Sequence, residues 1–279
     1  MAALPEITRR EVQLPGAGGA PVRGFLASPA GESPRAGVLF LHWGFGDATS
    51  FLAEARAFAG VAAATLTIDA PGYGAREGPR VGSKEAARVR AYAEQLLGDL
   101  AAAVDFLCAQ PGVDASRIGY VGHSLGATIA GAFLTREPRI RAAVLMAGTG
   151  ALSRLWLRSS DPAARRSLED LDSNRCLPHA TASLFFQFAE RDAWISRADA
   201  EAQLTAARDP KQATWYACDH ALDTAALRDR ARWLAAQLHL THEPELPVGD
   251  SLPRGQVRIS RAVGTLVRWA RRLRGNTEK

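Results

Sequence analysis

Three residues far apart in the chain could together carry out acyl transfer: Ser124, Asp192 and His220. Ser124 stands in Gly122-His123-Ser124-Leu125-Gly126, after the apolar run 117–121 and before a stretch of helical character. Gly-x-Ser-x-Gly between a strand and a helix is the nucleophile elbow, a sharp, strained turn that exposes the serine Oγ at the end of a sheet. The flanking glycines let strand and helix approach with no Cβ between them. A serine hydroxyl is a weak nucleophile at neutral pH; it needs a base, and the base needs an acid to orient it. With an elbow serine, the acid and then the histidine follow along the chain. Asp192 follows the apolar run 184–188, and His220 follows the run 214–217. Glu190 and Asp219 are rivals for the acid. Glu190 lies closer to its strand; Asp219 adjoins the histidine, although neighbours on an extended segment point in opposite directions. The other reading of the elbow is a glycine turn in which Ser124 only caps a helix.

A tetrahedral intermediate also needs N–H donors for its oxyanion. The Leu125 amide, next after the nucleophile, is the first expected donor. The second should come from the loop after the first parallel strand, His42-Trp43-Gly44-Phe45-Gly46-Asp47, where Gly44 is the choice. Trp43 and Phe45 would flank the substrate pocket, with Tyr73 of Asp69-Ala70-Pro71-Gly72-Tyr73-Gly74 as a further wall. His123, inside the elbow, is grouped with the pocket residues in a structural capacity. Asp69 shapes its loop, and Cys218 reads as a small buried thiol. No glycine pattern suits a dinucleotide or phosphate loop, and no His/Asp cluster has metal-ligand spacing, so neither cofactor nor metal is expected.

These residues need a scaffold that collects strand ends. Short apolar runs at 10–14, 22–27, 37–42, 64–69, 117–121, 142–146, 184–188 and 214–217 read as strands. Between them, 51–59, about 83–110, 124–134, about 197–207 and about 224–238 read as helices, the second capped by Ser83. Strands alternating with helices predict an α/β fold with a mostly parallel central sheet and helices on both faces. Such a sheet places its functional loops at the carboxyl ends of the strands. Residues about 149–182 interrupt the alternation. They read as an insertion with one or two short helices, either covering the Ser124 pocket through Leu155 and Trp156 or making a surface excursion.

The chain has 279 residues, 47% hydrophobic and 23% charged, enough for one large domain over 1–240. No apolar run approaches the length of a membrane-spanning helix, and the opening residues lack a secretory pattern, so a cytoplasmic location is expected. Cys108, Cys176 and Cys218 are too few and too scattered for a disulfide framework. The net charge of +5 is uneven. Eight basic residues against Glu278 alone give residues 251–279 a charge of +7, which leaves −2 on the rest. Residues 241–279 read as a linker followed by a basic tail, amphipathic if helical over 256–274. That tail admits weak contact with an anionic membrane surface or a partner, or plain disorder; nucleic acid is not an expected partner.

With these residues in place, the sequence resembles the α/β-hydrolase superfamily, and within it the dienelactone hydrolase and small carboxylesterase branch. The resemblance rests on His42–Asp47, Asp69–Gly74, Gly122–Ala127, Phe186–Asp192 and Cys218–Leu222. Dienelactone hydrolases use a cysteine nucleophile, whereas this elbow carries Ser124. The resemblance implies a serine hydrolase that cleaves a carboxylic ester, lactone or thioester through an acyl-enzyme, with a small-molecule ester as its partner. The same triad would serve an acyltransferase or perhydrolase, and a non-catalytic binding protein on the same fold is the remaining alternative.

Overall fold

A computed structural model describes residues 6–31 and 34–246. Its strands are β1 (Ile7–Leu14), β2 (Val22–Pro29), β3 (Arg35–Leu41), β4 (Ala63–Ile68), β5 (Val113–His123), β6 (Ile140–Met146), β7 (Ser183–Ala189) and β8 (Lys211–Tyr216). Its helices are α1 (Leu52–Ala59), α2 (Ala86–Cys108), α3 (Leu125–Arg136), α4 (Leu152–Leu155), α5 (Pro162–Arg166), α6 (Ser173–Cys176), α7 (Arg197–Ala206) and α8 (Thr224–Gln237). The strands form one sheet in the order β1-β2-β4-β3-β5-β6-β7-β8. β1 and β2 form an antiparallel hairpin, β2 runs antiparallel to β4, and the remaining neighbours pair in parallel.

The parallel strands are apolar on both faces because each face has its own core. Leu39, Leu41, Tyr120, Leu145 and Phe186 point into one. Val38, Phe40, Val121, Val144 and Phe185 point into the other. This is the two-residue pleat, and it explains why these strands read as unbroken apolar runs rather than alternating ones. α2, α3 and α7 cover the first face, and α1 and α8 the second. Helices thus lie on both faces of a mostly parallel sheet, as the sequence predicts. The loops that follow β3, β4, β5, β7 and β8 carry Gly44, Tyr73, Ser124, Asp192 and His220 at the carboxyl ends of their strands.

Three expectations change. Ser83 does not cap α2, which starts at Ala86 with Glu85 at its N-cap position. The Ser83 backbone is drawn instead into a bridge with Leu157. Its N–H donates to Trp156 O (3.0 Å), and its carbonyl accepts the Arg158 N–H (2.7 Å). The segment 149–182 holds three short helices, α4 to α6, rather than one or two. It is no surface excursion: Leu152, Trp156, Leu157, Leu168, Leu171 and Leu177 are buried in the first core. Finally, β5 and β8 begin earlier than their hydropathy indicates, because Asp114–Arg117 and Lys211–Thr214 are at least partly exposed. The sequence-predicted tail helix over 256–274 lies outside the described residues.

α8 follows the loop of His220, so its anchorage bears on the site. Arg230 Nε and Nη2 donate to Glu54 Oε1 (2.9 Å) and Oε2 (2.8 Å) on α1, with both side chains only 5% exposed. Removing one partner of such a pair strands a buried charge, whereas replacing both by apolar groups does not. Arg230→Met is expected to destabilise the protein by about 3–5 kcal/mol in urea melts. Adding Glu54→Leu should restore most of that loss; a double variant as unstable as the single one would contradict this account.

Candidate active site

Ser124 sits between the last residue of β5 and the first of α3. Its backbone has φ 51° and ψ −95°, in the positive-φ region that a residue with a Cβ seldom enters. Its N–H donates to Met146 O (2.8 Å) on the neighbouring strand, and its carbonyl accepts the Thr128 N–H (2.8 Å) in the first turn of α3. The two elbow glycines are required by contact. A Cβ at Gly122 would lie 2.6 Å from the Gly126 carbonyl carbon, and one at Gly126 would lie 2.7 Å from Leu41 O. Strand and helix therefore meet backbone to backbone. A plain capping turn does not describe this arrangement: the Ser124 side chain makes no cap hydrogen bond.

His220 is brought against Asp192, with Nδ1 2.7 Å from Asp192 Oδ2 and the two side chains 8% and 6% exposed. Asp192 Oδ1 accepts the amides of Trp194 (2.8 Å) and Ile195 (3.0 Å), so both carboxylate oxygens are engaged. Burial opposes ionisation of this carboxyl, but the His220 ring and these hydrogen bonds together hold it below its ordinary value. An ionised Asp192 requires the proton on His220 Nδ1, which leaves the Nε2 lone pair free to act as a base. The rivals for the acid stand elsewhere. Glu190 is exposed, and Asp219 Oδ1 accepts the Ala221 amide (3.2 Å) within its own turn.

His123 departs from its sequence-based grouping with the pocket residues. It is buried beneath the site and is not among the residues that line the cavity. Its ring lies between those of Trp43 (5.2 Å) and His220 (5.3 Å). Burial pushes its pKa down to about 3, so the ring is neutral. Its Nε2 is 2.8 Å from His220 O, which requires Nε2 to carry the proton and donate it to that carbonyl. His42 uses the other tautomer. It is buried and held neutral, its Nδ1–H donates to Trp43 O (2.7 Å), and its Nε2 accepts the Ala70 amide (3.0 Å). The Gly46 amide also donates to Trp43 O (2.9 Å). Since C=O and N–H of one trans peptide point in opposite directions, the orientation of the Gly44 N–H is fixed by these two bonds. No acceptor among the described residues takes that N–H. Leu125 is the first residue of α3, where an amide has no partner within the helix. Asp69 accepts the Ala48 (2.6 Å) and Ala75 (3.1 Å) amides and so joins the loops after β3 and β4.

Ser124, Leu125 and His220 open into one cavity of about 260 Å³. Trp43, Gly44, Phe45 and Tyr73 line it. So do Leu155 and Trp156 of the insertion. Five residues beyond those expected also border it: Trp194, Arg80, Val81, Gly82 and Arg158. Trp194 had a local signal, since an aromatic two residues past the acid is close enough to hydrogen-bond it and face the base; its ring is 6.3 Å from that of His220 and 5.6 Å from that of Phe45. The others had none. A larger groove of about 700 Å³, lined in part by Glu6, Arg56 and Glu243, contains none of these residues. Among the described residues no cluster of His, Cys, Asp and Glu could hold a metal ion, and no helix is long and apolar enough to cross a membrane. Cys218 is buried, and burial pushes its thiol up to about 12.

Residues 38–273 match the family model described as the alpha/beta hydrolase family. No curated protein sequence matches the chain. Among solved structures, the acetyl xylan esterase of Paenibacillus sp. R4 is similar with a TM-score of 0.71 and 23% identity, over 82% of this chain and 84% of that one. The acetyl xylan esterase 1 of Thermoanaerobacterium sp. JW/SL YS485 gives 0.66 and 17%, over 86% and 90%. A Klebsiella pneumoniae structure assigned as a dienelactone hydrolase gives 0.64 and 16%, over 84% and 99%. All three share the fold of this chain.

If His123 holds the His220 loop through its donor, His123→Phe keeps a ring but leaves a buried carbonyl unpaired, at about 1–3 kcal/mol. Fluorophosphonate labelling of Ser124 should then slow by about 10-fold, while His123→Gln, which keeps a donor, should recover part of the rate. Equal labelling rates in all three proteins would remove His123 from this role.

Proposed function

The chain belongs to the alpha/beta hydrolase family, and on that footing we propose that it is a serine esterase acting through an acyl-enzyme. One observation carries the reading: a serine strained at an elbow opens into the same cavity as a histidine whose other nitrogen is held by a buried carboxylate. Ser124 Oγ attacks the ester carbonyl as His220 Nε2 takes its proton. The Leu125 and Gly44 amides, neither with an acceptor among the described residues, stabilise the oxyanion. His220 returns the proton to the departing alcohol. It then activates a water, which attacks the acyl carbon and frees Ser124 and the acid. Asp192 holds the histidine tautomer throughout and stabilises the imidazolium.

The cavity sets the scale of the substrate. At about 260 Å³, with Trp43, Tyr73, Trp156 and Trp194 as walls, it suits short acyl groups. The two acetyl xylan esterases among the structural neighbours accord with a small acyl group.

Hydrolysis of p-nitrophenyl acetate, butyrate and octanoate tests the proposal. The two shorter esters are expected to exceed octanoate by about 10-fold or more in kcat/KM. Ser124→Ala should lose turnover on the order of 10⁶-fold and lose fluorophosphonate labelling, and Asp192→Asn should lose on the order of 10⁴-fold in kcat. Turnover that survives Ser124→Ala would refute the serine mechanism, and a wild type that neither turns over nor labels would favour a binding protein on this fold.

A further inference from the structure

The cavity over Ser124 has a charged part of its lining that the proposed hydrolysis does not use. Two arginines line it, Arg80 from the loop after β4 and Arg158 from the insertion, and its lining contains no aspartate or glutamate. The two segments are joined by the Ser83 bridge, so backbone hydrogen bonds set their relative position. Arg80 is oriented in advance: its Nε donates to Gly72 O (3.2 Å), and its guanidinium lies over the Tyr73 ring at 5.2 Å. That leaves its Nη groups without an ion-pair partner among the described residues. The Arg158 guanidinium likewise has no ion pair or side-chain hydrogen bond among them. Both act on one point: each favours the ionised form of the Tyr73 hydroxyl, although burial raises its pKa overall.

Residues 1–250 carry a net charge of −2, so this positive lining is local and owes nothing to a generally basic domain. Two arginines with no counter-ion among the described residues, beside a partly enclosed, aromatic-walled cavity, focus a positive potential into it. Guanidinium groups suit a carboxylate in particular, which they can grip with paired N–H donors. We propose that Arg80 and Arg158 form an anion subsite, and that the preferred substrates are small esters with a carboxylate on the arm remote from the scissile bond. The inference rests on the serine-esterase reading for the reacting end and on the two arginines for the remote end.

Matched esters test it. Monoethyl glutarate is compared with ethyl pentanoate, and acetylated hydroxybutanoate with butyl acetate, so that the charge falls on the acyl or on the alcohol side. Wild type is expected to favour the anionic member of at least one pair in kcat/KM by on the order of 10- to 100-fold, and added salt should narrow that ratio. The ratio should collapse towards one in Arg80→Gln/Arg158→Gln. A wild type with no preference for the anion in either pair, or a preference that the double substitution leaves intact, overturns the subsite. Calorimetry with glutarate alone separates this from failure of the esterase reading. Binding to wild type and to Ser124→Ala that is lost in the double variant sustains the subsite even if no ester is turned over. Absence of glutarate binding to both, with no ester turned over, overturns it.

Discussion

The site depends on one strained residue. Ser124 is held at positive φ, where a residue with a Cβ costs about 1–3 kcal/mol, and it stays there because its surroundings cannot yield. α3 is apolar on every side and buried from Leu125 to Leu134, so it lies within the core and not upon it. Small residues at 122 and 126 let it rest against the backbones of β5 and β3. Relaxing the turn would mean lifting this helix out of both contacts. The same turn presents Oγ at the sheet end and leaves the Leu125 amide without a partner among the described residues beside it.

Three buried histidine rings then show how burial is turned into orientation. A neutral imidazole has one N–H to donate, and the partner of that N–H decides what the other nitrogen does. His42 gives its proton to a backbone carbonyl and accepts an amide, which joins two loops. His123 gives its proton to the backbone carbonyl of His220. His220 alone has a carboxylate on Nδ1, and its Nε2 is the nitrogen left for the cavity. The rings of Trp43, His123 and His220, 5.2 Å and 5.3 Å apart in turn, join the loops after β3 and β8 to the end of β5. A shift in any one of these segments would therefore move His220.

The parts of this site that were legible in the sequence are those set by short-range pattern. The elbow is five consecutive residues between a strand and a helix, and the acid and base follow strand ends in a fixed chain order. The parallel strands were legible because burial on both faces makes them continuous apolar runs. What escaped was set by contacts distant in sequence. Ser83 looks like a helix cap, but a partner some seventy residues away claims its backbone. His123 looks like a pocket residue from its neighbour Ser124, yet the chain direction at the end of β5 turns it under His220. Arg80 and Arg158 carry no local signal, since exposed arginines are ordinary and only the bridge makes them face one cavity.

The cavity is thus built by two kinds of wall with different mechanical standing. The reacting end is made of loops that leave the core strands, braced by buried side chains and by Asp69 between two of them. The wall that carries Arg80 and Arg158 is made of two segments outside the sheet, joined by two backbone hydrogen bonds at Ser83, with both arginine side chains exposed. Local opening is cheapest where buried apolar contacts are few. Trp156 and Leu157 tie the bridge into the first core, so the freedom here lies in the exposed side chains of Arg80 and Arg158 and not in the bridge itself. An arrangement of this kind holds the backbone fixed while the side chains at 80 and 158 set what the cavity admits, which is consistent with a shared fold hosting hydrolases of different substrates.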